Sequence, residues 1–250
     1  GFEALTQSLL HPGSLVDAVL NRDQGLSIVG GAVATIVIGF TGTVIGFPLA
    51  LLFGVLGSER VTPFPFNFLF RGTMSTIRAV PALVWVLIYI PLVGITPVGA
   101  MLAIGTDTIG NLGRLFTDEL EEVSDGPIEA ISSTGATSSQ TVVFGMLSQV
   151  SSSFIAWTLY ILEINVRIAV SLGVVGAGGV GQYVKGRLSL LAYDQAAAGI
   201  AMIIVIVLSV ELTSSRLRAR LRPDEDSGKS LTEAIADLAD GGKWLGTGSK

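Results

Sequence analysis

Residues Ser124–Gln149, SDGPIEAISSTGATSSQTVVFGMLSQ, decide the fold of this chain. Asp125–Pro127 predicts the start of a helix because proline is favoured in the first helical turn, where the Glu129 carboxylate also complements the positive end of the helix dipole. Gly135 interrupts that helix and, with a small residue on each side, permits a sharp turn and the close approach of another chain. This pattern is typical of a docking element, and it also fits a surface helix that only joins two longer helices.

Long uncharged stretches surround this segment. Asp, Glu, Lys and Arg are all absent from residues 24–58, 79–106 and 130–162. Each stretch is longer than the roughly 20 apolar residues that cross a bilayer as a helix. Residues 168–184 and 195–210 are also uncharged, but these runs are shorter. Half of the 250 residues are hydrophobic and only 14% are charged, so the sequence predicts a polytopic membrane protein.

We predict an all-α chain with an N-terminal segment (residues 1–25), a transmembrane domain (26–213) and a polar tail (214–250). Residues 124–149 form a loop inside the transmembrane domain. About five membrane-spanning helices are expected, at Leu26–Gly57, Gly72–Val93, Pro97–Phe116, Val142–Ala169 and Tyr193–Leu212.

The distribution of arginine predicts the orientation in the membrane. Short cytoplasmic loops carry an excess of Lys and Arg, although a single arginine at the end of a span is normally an interfacial anchor. Arginines cluster after the first span (Arg60, Arg71, Arg78) and after the last (Arg216, Arg218, Arg220, Arg222). Counting crossings then places both clusters, residues 118–141 and the C-terminus in the cytoplasm. The turn 94–96 and the glycine-rich stretch near Gly176 face outward, and the first span begins outside, which suits an upstream helix.

The residue types present argue against several kinds of site. The chain has no cysteine and a single histidine, His11, so a metal site of the Cys/His type is not expected. The formal net charge is −5, and acidic residues predominate after Arg222. An acidic tail argues against nucleic acid as a partner.

The central loop carries a family motif. Glu129-Ala130-Ile131, three residues, Gly135, nine residues and then Gly145–Ser148 resemble the EAA loop of ABC importer permeases. Gly145 stands where that family has an aliphatic residue and Ser148 where it has proline, so the shape of the loop's exit is expected to differ. In the family this loop forms a coupling helix seated in a cleft of the ATPase subunit. The resemblance therefore assigns coupling to Glu129, Ala130, Thr134, Gly135 and Ala136.

The similarity covers roughly residues 26–211 and points to one branch of the family. The stretches RAVPALVW, IGNLGRL, EINVR and GVVGAGGVGQ resemble the phosphonate-type permeases; they occupy Arg78–Trp85, Ile109–Leu115, Glu163–Arg167 and Gly173–Gln182. The resemblance implies a type I ABC importer permease fold and a permease subunit for phosphonate, phosphate or phosphite.

The resemblance also implies the partners of the chain. Two ATP-binding subunits would bind ATP and Mg²⁺, so this chain would be no enzyme and would hold no cofactor itself. A second permease subunit, expected to be an identical copy, and an extracytoplasmic substrate-binding protein would complete the importer. The complex would lie in the inner or plasma membrane, surrounded by lipid.

Charged residues inside the predicted spans are candidates for the translocation pathway. Glu163 and Arg167 are four residues apart and share a helix face, and ionisable groups in a bilayer usually pair or line a pathway. The two form either a structural pair or a site where the Arg167 guanidinium receives an oxyanion. Arg78 and Asn165 join them as pathway candidates. Asp107 would oppose an anion if it faced the pathway, and we leave it unassigned.

Two glycine-containing motifs do not indicate nucleotide binding. Residues 176–181 match G-x-G-x-x-G, but that fingerprint needs a preceding strand and a βαβ unit, whereas this stretch lies between membrane spans. Close helix packing or an outer gate is the better account of its glycines, Gly176, Gly178, Gly179 and Gly181. Gly228–Ser230 resembles the end of a phosphate-binding loop, but the position that needs the first glycine holds Pro223.

Two other functional classes remain as alternatives. A secondary carrier or channel would work without an ATPase, and such proteins often show internal repeats, of which the sequence shows none. A membrane scaffold without transport is disfavoured by Glu163 and Arg167 within a span. Co-purification with an ATP-binding subunit would separate these classes.

Overall fold

A computed structural model describes Thr6 and residues 22–221 of the chain. His11, Gly228–Ser230 and residues 222–250 of the predicted tail lie outside the described residues, as does most of the predicted N-terminal segment. The described part is helical, with no strand among its residues.

Eight helices form the described bundle, and short turns or breaks separate most of them. Residues Ser138–Gln140 and a π-helical segment, Thr141–Leu147, lead without a break into α6. The helices are α1 (Arg22–Gly57), α2 (Phe66–Ala79), α3 (Ala82–Val93), α4 (Pro97–Glu121), α5 (Asp125–Ser132), α6 (Ser148–Val174), α7 (Gly179–Ser189) and α8 (Tyr193–Leu221).

Three described helical segments are long and apolar enough to cross a membrane, within Ser27–Gly57, Ser138–Ser189 and Tyr193–Leu221. The bent pair α2 and α3 makes a fourth if the two count as one span. Helix α4 is long enough but is not among them, because its polar and charged residues make it insufficiently apolar. It packs against α1, α2, α3 and α6. The number of five spans stays a prediction.

The predicted span at about Gly72–Val93 is not a single straight helix. Helices α2 and α3 meet at an angle of 91°. The break follows from Pro81, because a proline ring pushes the preceding residue out of the helical region, and Val80 is extended at φ −100° and ψ 115°. Pro81 then occupies the N-cap position of α3.

The predicted start of the polar tail at Ser214 stays a prediction, and its first residues are helical. Helix α8 continues to Leu221, well beyond the predicted end of its span at Leu212. Arginine is a good helix former. In addition, Arg218 Nη1 lies 3.4 Å from Glu163 Oε2 on α6. Contacts with the bundle therefore extend the helix into the charged segment.

Glycines on α1 bring it close to α4. Cβ atoms added at Gly42 and Gly54 would lie 2.5 Å from the Ile104 side chain and 2.7 Å from the Phe116 side chain. The core between these helices and α6 includes Phe116, whose ring stacks on that of Phe154 with centroids 4.0 Å apart. Small residues thus permit the backbone approach on which membrane helix packing depends.

The loops form two groups at opposite ends of the bundle. Arg60, after α1, pairs with Asp125 at the start of α5 at 2.6 Å. The turn between α3 and α4 lies instead beside the glycine-rich stretch, because Cβ atoms added at Gly176 and Gly178 would approach Ile95 and Pro97. This grouping matches the one obtained by counting crossings.

Candidate functional site

A cavity of about 790 Å³ opens between the α2–α3 break, one face of α4 and one face of α6. Its walls combine apolar residues with three arginines and two aspartates. The polar and charged lining residues are Arg78, Asp107, Asn111, Arg114, Asp118, Tyr160, Asn165, Arg167 and Ser171.

Helix α4 contributes a polar stripe to the cavity. Asp107, Asn111, Arg114 and Asp118 follow one another at intervals of four, three and four residues, which places them on one helical face. The Asn111 amide donates to Asp107 Oδ2 at 3.0 Å. Arg114 donates from Nε to Asp118 Oδ2 at 3.1 Å. Each aspartate on this face thus has a partner one turn away.

Asn165 on α6 holds three helices together at the back of the cavity. Its side chain is 1% exposed, and its Nδ2 donates to the hydroxyl oxygens of Thr43 on α1 and Thr108 on α4, both at 2.8 Å. Those hydroxyls in turn donate to the carbonyls of Gly39 and Ile104. The Asn165 Oδ1 has no hydrogen-bond partner among the described residues.

Arg167 lies at the edge of the cavity between two carboxylates. It pairs with Glu163 one turn earlier on α6 and with Glu211 on α8 at 3.2 Å. Glu163 is buried and also accepts from Arg218, so it is held between two guanidiniums and does not line the cavity. These four residues form a continuous chain of alternating charge between α6 and α8.

Arg78 reaches the cavity because of the break between α2 and α3. It occupies the last turn of α2, three residues before Pro81, and both residues line the cavity. Its side chain forms no ion pair with any residue in 22–221 at a distance of 4.0 Å or less, although it interacts electrostatically with Asp107. A guanidinium without a fixed carboxylate partner is free to bind an anion.

The structure therefore brings three of the sequence-predicted pathway residues, Arg78, Asn165 and Arg167, to one cavity, while Glu163 lies behind it. The roles of all four stay predictions. Sequence reasoning missed Asn111, Arg114 and Asp118 and left Asp107 unassigned. Their 4-3-4 spacing was the available signal, because polar residues repeating on one face of a membrane helix indicate an interior or water-lined surface.

The coupling candidates lie in an exposed element below the bundle. Helix α5 begins after its N-cap, Ser124, close to the start that the sequence predicts. It ends at Ser132. Its Ile128 and Ile131 face Gly145 in the π-helical segment, where a Cβ would lie 3.5 Å from each. Glu129, Ala130, Thr134 and Gly135 are exposed, and Ala136 is half-buried.

The exit from this element is a continuous helix. Thr137 and Gln140 form a capping box, and the chain passes through the π-helical segment directly into α6. Without proline at Ser148 nothing removes a backbone N–H at that point, so the helix need not break. Gly135 has φ of +81°, a left-handed conformation that glycine adopts without strain.

The glycine-rich stretch packs α7 against α1 and α6. Gly176, Gly178 and Gly179 have φ of +108°, +100° and +73°. A Cβ at Gly181 would overlap the Val170 carbonyl, and the Val180 N–H donates to Thr35 Oγ1 at 2.9 Å. No strand precedes this stretch in the described chain, so it is not a dinucleotide fingerprint. Its role as an outer gate stays a prediction.

Acidic residues do not gather into a metal site in the part of the chain that the structure describes: no three of them lie close enough to hold an ion.

No family model matches the chain. It is 32% identical over 211 residues to a putative phosphite transport system permease protein, HtxC, of Stutzerimonas stutzeri, covering 84% of this chain and 72% of that one. It is 30% identical over 189 residues to the phosphite transport system permease protein PtxC of the same organism, covering 75% of this chain and 69% of that one.

A third relative is much longer. The chain is 33% identical over 198 residues to the phosphate-import permease protein PhnE of Mycolicibacterium smegmatis. The match covers 79% of this chain but only 37% of that relative.

Solved structures share the fold. The chain superposes on a chain of the inward-facing MetNI methionine ABC transporter with a TM-score of 0.63 at 22% identity, covering 77% of this chain and 94% of that one. An amino acid ABC transporter gives a TM-score of 0.65 at 15% identity, with 77% and 93% covered. At these identities the likeness concerns the fold alone.

Proposed function

Since the chain belongs to the permease subunits of ABC importers, in the group that includes the phosphite and phosphonate transport permeases, we propose that it is the membrane subunit of an ATP-driven importer for a phosphorus oxyanion. The observation that carries the substrate class is the arginine-lined cavity, in a chain whose relatives are named for phosphite and phosphate transport.

Three guanidiniums make the cavity suitable for such an anion. Arg78, Arg114 and Arg167 line it from three different helices. A guanidinium presents parallel N–H donors that match the oxygens of phosphate-like groups. Arg114 and Arg167 each have carboxylate partners, whereas Arg78 has none at ion-pair distance among residues 22–221, so Arg78 is the readiest to bind. Phosphonate, phosphite and phosphate all have the required oxygens.

Helix α5 is proposed to couple the permease to ATP hydrolysis. It is an exposed eight-residue helix whose apolar side packs on the segment leading into α6, while Glu129 and Ala130 face away from the bundle. The importer would have two ATP-binding subunits, each binding ATP and Mg²⁺, and one of them would dock on α5 of each permease subunit. Because ATP would bind the closed ATPase dimer more tightly than the open one, it would shift the permease between its two orientations.

The other partners follow from the same family. A second permease subunit, proposed to be an identical copy, would close the open side of the cavity. An extracytoplasmic binding protein would deliver the anion at the end where α3 meets α4. Neither ATP hydrolysis nor any other catalysis is proposed for this chain.

The multi-pass chain is proposed to lie in the inner or plasma membrane with its C-terminus in the cytoplasm. Arg60 and Arg71 lie at the same end of the bundle as α5 and pair with acidic residues there. Arg216, Arg218 and Arg220 follow the apolar part of α8. Such an excess of arginine marks the cytoplasmic side.

Reconstitution tests the proposal. The tagged chain should co-purify with an ATP-binding subunit, and the complex in proteoliposomes should take up phosphite or methylphosphonate when ATP and the binding protein are supplied. A non-hydrolysable ATP analogue should give no uptake. Uptake by the permease alone, driven by an ion gradient, would instead identify a secondary carrier.

A further inference from the structure

Two residues of the arginine-lined cavity each have a hydrogen-bond acceptor atom without a partner among the described residues. Asp107 is buried on α4; its Oδ2 accepts from Asn111, and its Oδ1 accepts no hydrogen bond from a described residue. Asn165 is 1% exposed, and its Oδ1 is likewise without a partner. Both residues line the cavity. An anion site that contains hydrogen-bond acceptors as well as donors best fits an anion that can both accept and donate hydrogen bonds.

The hydrogen bonds around Asn165 fix the orientation of its side-chain amide. The hydroxyls of Thr43 and Thr108 donate to the carbonyls of Gly39 and Ile104 at 2.8 and 2.7 Å. Their hydroxyl protons are used there, so the two oxygens can only accept, and they accept from Asn165 Nδ2. Turning the amide over would place Oδ1 against two oxygens. The acceptor Oδ1 therefore points away from Thr43 and Thr108. It is fully buried, so an anion in the cavity does not reach it, and Asp107 is the acceptor that the cavity offers.

A carboxylate beside an anion is unfavourable unless a proton lies between them. Asp107 can only accept hydrogen bonds while it is ionised, and it would repel a fully ionised oxyanion. A phosphorus oxyanion that keeps one P–OH supplies the missing donor. Phosphite and phosphonate keep one P–OH until the pH approaches neutrality, and inorganic phosphate keeps one at mildly alkaline pH as well, whereas sulfate has none at either pH.

We propose that this cavity selects phosphorus oxyanions by the proton they carry. Arg78 and Arg167 bind the ionised oxygens, and Asp107 Oδ1 accepts the P–OH. Sulfate is rejected because it offers no donor to this carboxylate. The inference rests on the proposed transport function and adds to it a basis for specificity within the permease itself.

Phosphate and sulfate provide a matched pair of probes. At mildly alkaline pH inorganic phosphate is a doubly charged tetrahedron with one P–OH, and sulfate has the same charge and shape without the proton. We would titrate each into the purified complex of permease and ATPase, without binding protein, by calorimetry. Phosphate should bind on the order of 10- to 100-fold more tightly, the usual contribution of a hydrogen bond to a charged group.

Asp107→Asn should remove this preference. The amide can donate to sulfate as readily as it accepts from phosphate, so the two affinities should come within about threefold of each other, a difference below that of one hydrogen bond. Asp118→Asn is the matched control, since it makes the same charge change on the same face of α4, where Asp118 pairs with Arg114. It should shift both affinities together and leave their ratio unchanged.

Equal binding of phosphate and sulfate by the wild-type complex would overturn the proposal, and that comparison requires no variant. Retention of the preference in Asp107→Asn would also overturn it. A complex that transports with ATP but binds neither anion without the binding protein would refute selection in the cavity and leave the transport function standing. Failure of ATP-dependent uptake by the wild-type complex would contradict the transport function itself.

Discussion

Arg167 forms ion pairs that stabilise the fold, and it also lines the cavity. Its guanidinium pairs with Glu163 and Glu211, and Glu163 also pairs with Arg218. Removing one member of a buried ion pair strands a charge, which is costly. Loss of activity in an Arg167 variant therefore does not distinguish a structural role from contact with substrate.

A double substitution separates the two roles. Arg167→Ala leaves Glu163 with Arg218 alone and should destabilise the permease by about 1–3 kcal/mol, less than for a wholly stranded charge. Glu163→Gln combined with Arg167→Gln should restore assembly, while uptake of phosphite stays low. Thermal unfolding in detergent and proteoliposome uptake measure these effects.

Arg218→Gln is the matched control for this pair. It removes a guanidinium from the same carboxylate, but Arg218 does not line the cavity. Assembly should weaken, and uptake per assembled complex should stay normal. Wild-type uptake in the Glu163/Arg167 double variant would refute contact between Arg167 and the anion.

Gly135 should matter for coupling and not for folding of the spans. It is exposed, and nothing lies within 4 Å of a Cβ added there, but its φ of +81° disfavours other residues. Gly135→Leu should insert normally and lose the ATPase subunit or transport-linked hydrolysis, measured by co-purification and phosphate release. Gly30→Leu, on an exposed part of α1 that is equally open, should retain both. Unaltered transport by Gly135→Leu would show that the docking assignment is wrong.

At the level of elements, the contact between α1 and α4 depends on small residues. Gly42, Gly46 and Gly54 lie on one face of α1 at multiples of four residues, and the backbone of α4 approaches that face. The close contact positions Thr43 and Thr108 so that both can bind Asn165. Packing between these helices therefore also supports the back wall of the cavity.

Gly46→Ala tests this contact. The added methyl would overlap the Gly105 carbonyl, so we expect a loss of about 1–3 kcal/mol in unfolding free energy, as for other overpacked cores. Gly30→Ala on the same helix meets nothing within 4 Å and should change little. Thermal unfolding of the purified permease compares the two. Equal stability of both variants would contradict close packing at Gly46.

At the level of the whole molecule, the two groups of loops define opposite ends. Arg60 and Asp125 lie at one end, and the α3–α4 turn lies at the other with the glycine-rich stretch. Helix α7 continues from that stretch to an exposed turn at Leu190. Orientation in the membrane then depends on which end carries the excess of arginine.

Introduced cysteines test the orientation, because the chain has no cysteine of its own. Gly186 and Gly126 are both exposed, with nothing within 4 Å of an added Cβ. Gly186→Cys should react with an impermeant thiol reagent applied outside, and Gly126→Cys only from the cytoplasmic side. Gly179 is unsuitable as a probe, because an added Cβ would overlap the Thr35 hydroxyl. The reverse labelling pattern would overturn the topology.

The sequence by itself determined the features that depend on residues near one another in the chain. Uncharged runs indicate membrane helices, the residues around Pro127 predict where α5 begins, and the EAA-like motif indicates the family. The polar stripe on α4 was also readable, because its spacing of four, three and four residues needs only the periodicity of one helix.

The tertiary structure alone decided which side chains meet. Glu163 and Arg167 share a helix face, yet Arg218, 55 residues further along the chain, draws Glu163 away from the cavity that Arg167 lines. Asn165 finds its partner Thr43 at a separation of 122 residues. The right-angled break at Pro81 likewise turns Arg78 toward α4. Local spacing specifies the direction of a side chain from its own helix, whereas its partners depend on how the helices pack, and that depends on contacts between distant segments.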